Sequence, residues 1–251
     1  GDFLFCMMDQ LVNQAAKMCY MSGGKVHIPM VMRAPCGATN RGAQHAQSLE
    51  SYFIHVPGLK VICPSTPYDA KGMMKQAIRD DNPVLVFEHK LLYGSARKEK
   101  DAIKTSGEVP PDDYTVEFGK AAIRREGKDV TIVANLLMSY RAQEAARELE
   151  AEGISCEVID PRSLVPFDYE TVEQSVKKTG KLMIVHEDTY NGGWGAQVAA
   201  HFAQHGIFDL DAPVKIVAAY DTPIPFASPM ENFIIPSVER IKKEAKELAE
   251  F

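Results

Sequence analysis

His45 ends a polar loop, Arg33-Ala34-Pro35-Cys36-Gly37-Ala38-Thr39-Asn40-Arg41-Gly42-Ala43-Gln44-His45, that follows a short apolar run. Histidine is the side chain best suited to give or take a proton under physiological conditions, which makes His45 the candidate for acid–base work. Local sequence alone leaves a second reading open, a structural histidine hydrogen-bonded to backbone. Another group, His186-Glu187-Asp188, follows a different apolar run and precedes Gly192-Gly193-Trp194-Gly195. Glycines ahead of a helix can expose N–H groups to an anion, but a tight strand-to-helix turn is the simpler reading of them. His201 and His205 stand four apart, a spacing that puts both on one helix face. Without a third ligand nearby in sequence, a solvated face accounts for them better than a metal pair. The methionines Met7, Met8, Met18, Met21, Met30 and Met32 read as adaptable core filler. Neither GxGxxG nor GxxxxGK[ST] occurs, so neither of these nucleotide-phosphate loops is encoded.

The elements that must position these groups alternate along the chain. Apolar, β-branched runs occur at His27 to Met32, Leu59 to Cys63, Val84 to Phe87, Val130 to Val133, Ile154 to Ile159, Leu182 to Val185 and Val214 to Ala218. Continuous runs of this kind predict strands buried on both faces. Helical spacing lies between them, as in Leu4, Met8, Leu11, Val12, Ala15 and Cys19, a helix that Ser22-Gly23-Gly24 stops. Ser139 is a candidate N-cap for Tyr140 to Glu152, with Gly153 ending it, and Asp168 for the helix after it. The last helix gathers Val238, Ile241, Ala245 and Leu248 on one face. The expectation is an α/β protein of two units, each a mainly parallel sheet flanked by helices. Ligands in such sheets sit at the carboxyl ends of strands, where both candidate groups fall. The pattern breaks between Tyr93 and Phe118, a charged stretch read as the connection, and the units are placed at 1–106 and 107–251.

Composition narrows the functional class. The chain has 251 residues, 45% hydrophobic and 25% charged, with a formal net charge of -6. Lys and Arg are spread rather than clustered, so no nucleic-acid footprint is expected. No apolar run reaches the length of a membrane span, and the first residues lack the basic stretch of a signal peptide. Five cysteines at irregular spacing suit a reducing compartment better than a disulfide framework. The abrupt start, with a helix and no preceding strand, makes the first unit small for an open α/β sheet and suggests further N-terminal structure.

Seven segments in order resemble the beta subunit of the decarboxylating component of pyruvate, branched-chain and acetoin dehydrogenase complexes. They are Asp9 to Gly24, Arg33 to Gln47, Val56 to Met73, Gln76 to Gly94, Ile159 to Asp168, Val185 to Ala200 and Ala219 to Glu231. The resemblance implies a pyrimidine-binding fold followed by a transketolase C-terminal-like fold. It implies thiamine diphosphate, shared with an alpha subunit that binds the diphosphate and magnesium in an alpha2-beta2 heterotetramer. No Gly-Asp-Gly segment for that task occurs here. It further implies a 2-oxoacid substrate, pyruvate first and acetoin close behind, and transfer of the acyl group to a lipoyl acyltransferase core.

Residue by residue, the resemblance makes His45 the active-site histidine and Phe3 the aromatic stacked on the aminopyrimidine. Met30, Ala77, Ile78, Asp80 and Asn82 match a potassium-binding turn that braces the His45 loop; a plain helix-to-strand turn is the alternative. Asp211 and the terminal carboxylate of Phe251 match contacts to the acyltransferase; a surface carboxylate is the alternative for Asp211. The family's catalytic glutamate lies ahead of the position of Phe3. This implies that roughly a quarter of a usual beta subunit precedes the chain, or else that the chain is a non-catalytic assembly and docking fragment. Neither Glu50 nor Glu88 matches that glutamate. A single-chain transketolase-like enzyme is a third reading. The cytoplasm, or the mitochondrial matrix in a eukaryote, is the expected location.

Overall fold

In the computed structural model, which describes residues 1–93 and 105–251, the aliphatic runs form the parallel strands of two sheets. The first sheet has the order β1-β3-β2-β7. Strands β1 (Val31–Cys36) and β2 (Lys60–Ile62) flank β3 (Val84–His89) in parallel, and β7 (Ser163–Val165) closes the edge antiparallel to β2. The second has the order β4-β6-β5-β8-β9. There β6 (Cys156–Asp160), β5 (Val130–Ala134), β8 (Leu182–Thr189) and β9 (Lys215–Ala219) are parallel, and β4 (Ala122–Arg125) is an antiparallel edge. Every residue of β5 and β6 is buried, as expected for strands covered on both faces.

Local chemistry fixes the helix ends. Helix α3 (Pro67–Ile78) starts where Thr66 Oγ1 accepts the Asp69 N–H at 3.1 Å, with Pro67 in the first turn. Helix α5 (Tyr169–Thr179) starts at the predicted cap, where Asp168 Oδ1 accepts the Thr171 N–H at 3.1 Å. Helix α8 (Val238–Ala249) buries Ile241, Ala245 and Leu248, residues of its predicted face.

Four expectations are corrected. The first strand begins at Val31 and runs to Cys36, so Arg33 to Cys36 belong to β1, not to the loop. Pairing from Val31 with Val84 to Cys36 with His89 carries it past Pro35, which an edge strand tolerates. Helix α4 (Leu136–Glu150) is preceded by Asn135, and Ser139 lies within it. Burial of Leu136, Leu137 and Met138 draws that apolar turn into the helix. Strands β4 and β7 were not foreseen, being short edges of four and three residues. Finally, the second half is not confined to its own sheet. β7 pairs Val165 with Val61, and the Cys63 N–H donates to the Arg162 carbonyl at 2.7 Å.

The halves are also joined by apolar packing and charge. One buried cluster contains Phe53 and Phe87 from the first half and Ile184, Trp194 and Phe202 from the second. Asp69 on α3 is buried against Arg124 of β4 and Arg162, and Arg124 also meets Asp160 at 2.8 Å. Such buried charges persist only when paired. The predicted connection falls partly at 94–104, outside the described residues.

Candidate active site

The loop carrying His45 leaves the carboxyl end of β1 and ends at helix α2 (Glu50–Ile54). It is folded by three kinds of contact. Internally, the Gly37 N–H donates to the Gln47 carbonyl at 2.9 Å and the His45 N–H to the Gly42 carbonyl at 3.3 Å. From the N-terminal helical segment (Asp2–Met7), Asp2 Oδ1 accepts the Gln47 N–H and side-chain amide, both at 3.2 Å. From the next residue after β3, the Lys90 ammonium donates to the His45 carbonyl. The same segment that anchors the loop therefore also presents Phe3.

Phe3 and His45 are brought together. Their rings lie 5.6 Å apart between centroids, tilted by 51°. Phe3 is 70% exposed, unusual for a large aromatic. Both line a cavity of about 740 Å³, whose lining also includes Asp2, Arg41, Lys90 and Phe226. A bare aromatic face beside an imidazole suits a flat heteroaromatic ring better than a metal ion. Among the described residues, no group of three or more His, Cys, Asp or Glu could hold a metal.

Beneath the loop lies a buried polar layer. Glu187 Oε1 accepts the Ala38 N–H at 2.5 Å, and Glu187 Oε2 meets His89 Nε2 at 2.9 Å. Burial pushes the Glu187 carboxyl up, but His89 and the Ala38 N–H outweigh it and hold the group below the usual carboxylate range. Burial, with the Asp188 carboxylate next, pushes the neighbouring Glu50 up to about 8. Asp188 is itself raised by burial, although Ser51 donates to it at 2.5 Å. His186 is lowered by burial to about 4. Gly193 serves the tight turn: a Cβ there would lie 2.4 Å from His186 Cε1. His201 meets Glu173 at 2.7 Å and stacks on Tyr169, which explains its helix face without a metal.

The other sequence-predicted residues fall in two further places. At the end of α3, Asp80 pairs with Lys60, and its Oδ1 accepts the Asn82 N–H at 2.9 Å. Burial raises the Asp80 carboxyl, but Lys60 and Asn82 outweigh it and hold it low. The Ala77 carbonyl accepts the Asp80 N–H at 3.2 Å and the Met30 carbonyl the Val84 N–H at 2.9 Å. Each carbonyl oxygen has two lone pairs, so these bonds do not preclude a cation. Ile78 is exposed on the same turn. Far from this turn in sequence, Asp211 and Phe251 line one groove of about 510 Å³, walled by Ala199, Ile207, Leu210 and Val214.

Glu231, Lys90 and Asp2 were missed as site residues. Their role is tertiary, holding loop backbone, and no spacing within the sequence reveals it. Glu187 had a signal, an acidic residue in the His186-Glu187-Asp188 group that follows an apolar run and falls in the carboxyl-terminal part of β8.

Residues 1–95 match the transketolase pyrimidine-binding domain and residues 119–241 the transketolase C-terminal domain. A split-gene transketolase, solved as an inactive beta4 tetramer, shares the fold at a TM-score of 0.70 and 24% identity, covering 95% of this chain and 73% of that one. The 2-oxoisovalerate dehydrogenase subunit beta of Bacillus subtilis is 43% identical over 100% of this chain and 75% of its own length. The beta subunit of acetoin:2,6-dichlorophenolindophenol oxidoreductase from Cupriavidus necator is 46% identical, over 98% and 70% respectively. The mitochondrial pyruvate dehydrogenase E1 subunit beta of Caenorhabditis elegans is 43% identical, over 98% and 68%. The chain belongs to the family of beta subunits of thiamine-diphosphate-dependent 2-oxoacid and acetoin dehydrogenases, and is an oxidoreductase subunit.

Proposed function

We propose that the chain provides the pyrimidine-side half of a thiamine-diphosphate site and, with an alpha subunit in an alpha2-beta2 heterotetramer, decarboxylates a 2-oxoacid and passes the acyl group to a lipoyl acyltransferase core. The observation that carries this reading is the pairing of exposed Phe3 with His45 on one cavity wall. The cofactor supplies a nucleophilic carbon able to take up the electrons left when carbon dioxide departs. Phe3 offers its face to the aminopyrimidine. His45 would hold or deliver a proton at an imidazole nitrogen facing the cavity, where the acyl transfer to lipoyl would take place. Arg41 and Lys90 make that wall basic, which suits an anionic substrate. Diphosphate and magnesium belong to the alpha subunit.

Pyruvate is the proposed substrate, on the resemblance of the GAQH and STPYDAKG stretches to that subset. Acetoin is the second reading, supported by the 46% identity to an acetoin-oxidising relative. The boundary between units is proposed at 106/107. The turn at Met30, Ala77, Ile78, Asp80 and Asn82 is proposed to take potassium through main-chain oxygens, since hard cations prefer oxygen. The groove of Asp211 and Phe251 is the proposed seat of the acyltransferase's subunit-binding domain. The proposed location is the cytoplasm, or the mitochondrial matrix in a eukaryote. Among the described residues no helix is long and apolar enough to cross a membrane.

The test is turnover of the chain assembled with its alpha subunit and thiamine diphosphate on pyruvate, 2-oxoisovalerate and acetoin. The highest kcat/KM is expected for pyruvate. A preference for acetoin would install the second reading, and no turnover on any of the three would remove the proposal in favour of a non-catalytic assembly and docking fragment.

A further inference from the structure

Backbone amides of the His45 loop donate to carboxylates from three separate elements. Ala38 N–H meets Glu187 of β8 at 2.5 Å, Asn40 N–H meets Glu231 of helix α7 (Ser228–Ile234) at 2.7 Å, and Gln47 N–H meets Asp2 at 3.2 Å. Two of these acceptors come from the C-terminal half of the chain. The loop that carries the proton-transfer group is therefore shaped by a part of the protein that the pyrimidine-binding unit does not contain.

Glu187 is the most constrained of the three. It is buried, and both its oxygens have assigned donors. His89 Nδ1 accepts the Leu91 N–H at 3.2 Å, so the ring proton lies on Nε2 and is donated to Glu187 Oε2 at 2.9 Å. Gly37 lies over the same imidazole: its φ is +93°, and a Cβ there would stand 2.1 Å from His89 Nε2. Glu187, His89 and the Gly37–Ala38 backbone thus form one packed unit at the root of the loop. At the other end of the loop Lys90, the residue after His89, holds the His45 carbonyl.

We propose that Glu187, with His89 behind it, is a positioning residue for His45, fixing from the C-terminal half the loop geometry in which the imidazole meets the cavity. The inference rests on the reading of His45 as the proton-transfer group. Glu187 is not among the residues lining the cavity of Phe3 and His45; it borders a separate cavity with Gln47 and Asp188, and its contact with the His45 loop runs through the Ala38 N–H.

The hydrogen-bond arithmetic makes the idea testable by a near-isosteric change. Glu187→Gln replaces one acceptor oxygen by an NH2 group. Whichever way that amide turns, a donor faces either the Ala38 N–H or the His89 Nε2–H. Moving the imidazole proton to Nδ1 only transfers the conflict to the Leu91 N–H. No arrangement of these four groups satisfies all donors. Glu187→Asp keeps both acceptors and the charge but is one methylene shorter, so it should fall between wild type and Glu187→Gln.

The experiment has two arms. Amide hydrogen exchange on the intact chain reads the loop directly, independent of activity. Glu187→Gln should raise exchange across 37–47 while leaving α3 at its wild-type level, and Glu187→Asp should raise it less. Single-turnover acyl transfer in the complex with the alpha subunit reads the consequence. Glu187→Gln should slow transfer by about 10- to 100-fold, the range for losing a supporting hydrogen bond or misplacing a group by about 1 Å. In a His45→Ala background the same change should add no more than about twofold, because coupled residues are non-additive. An equal loss with and without His45 would overturn the proposal, as would unchanged exchange at 37–47. If Glu187→Gln does not fold, the same comparison in Glu187→Asp decides. If His45→Ala itself leaves transfer intact, the reading of His45 fails, while the exchange arm still shows whether Glu187 holds the loop.

Discussion

Replacing Glu50 by glutamine should stabilise the protein at mildly alkaline pH and flatten its dependence on pH. Glu50 is buried at the start of α2, and burial together with Asp188 pushes its carboxyl up to about 8 from 4.5. Between those values the folded chain keeps a proton that the unfolded chain releases. The unfolded state then binds fewer protons, so stability falls as pH rises through this window and levels off above about 8. A difference of this size corresponds to an effect on the order of a few kcal/mol, shared with the raised Asp188 carboxyl. His186 acts in the opposite sense. Burial lowers it to about 4, so its contribution to stability is lost as pH falls below the ordinary histidine value of 6.5. The two slopes oppose each other below about pH 6.5; above it the His186 slope is gone and that of the Glu50–Asp188 pair remains. Urea unfolding at half-unit steps from pH 5 to 8.5 would read this. The wild type should lose stability from pH 6.5 to 8, and Glu50→Gln should be nearly flat there. Parallel curves for the two proteins would refute the argument.

Four further outcomes are expected. His45→Ala should lower acyl transfer to lipoyl far more than it lowers cofactor affinity; equal losses in a titration and a transfer assay would reduce His45 to a structural loop residue. Phe3→Ala should weaken thiamine diphosphate binding roughly 2- to 10-fold, the worth of one aromatic pair, as read by isothermal titration. Replacing potassium by a larger organic cation should lower the melting temperature if the turn at Asp80 binds the ion, and an unchanged curve would argue against the site. Asp211→Lys should weaken association with the acyltransferase's subunit-binding domain, with the loss shrinking at high salt as Debye screening sets in; an unchanged Kd would remove Asp211 from that surface.

Much of the fold was legible because its inner strands are continuous apolar runs. Leu182 to Val185 has no polar residue, and Val130 to Val133 has only the buried, β-branched Thr131; both are inner strands. The antiparallel edges, β4 and β7, were not legible. β7 has three residues and is a strand only because β2 offers it partners across the chain. Ser139 looked like a helix cap because hydroxyl chemistry is local, but burial of Leu136 to Met138 set the start one turn earlier. At the site, His45 stood out by residue type and by the loop that bears it. Phe3 was identified by resemblance, and its 70% exposure beside His45 is a fact that only tertiary structure supplies. The supports, Asp2, Lys90, Glu187 and Glu231, act on backbone amides and a carbonyl far away in sequence. For Asp2, Lys90 and Glu231, nothing in their neighbours' identities announces such a contact; Glu187 alone stood out, by its place after an apolar run.

The central claim is that this chain contributes one wall of a shared thiamine-diphosphate site. The most direct measurement is a cofactor titration of the chain alone, of its alpha subunit alone, and of the two together, with wild-type and His45→Ala chains. The account predicts tight binding only in the mixture, with the affinity kept and acyl transfer lost in His45→Ala. Equal affinity for the alpha subunit with or without this chain would contradict it.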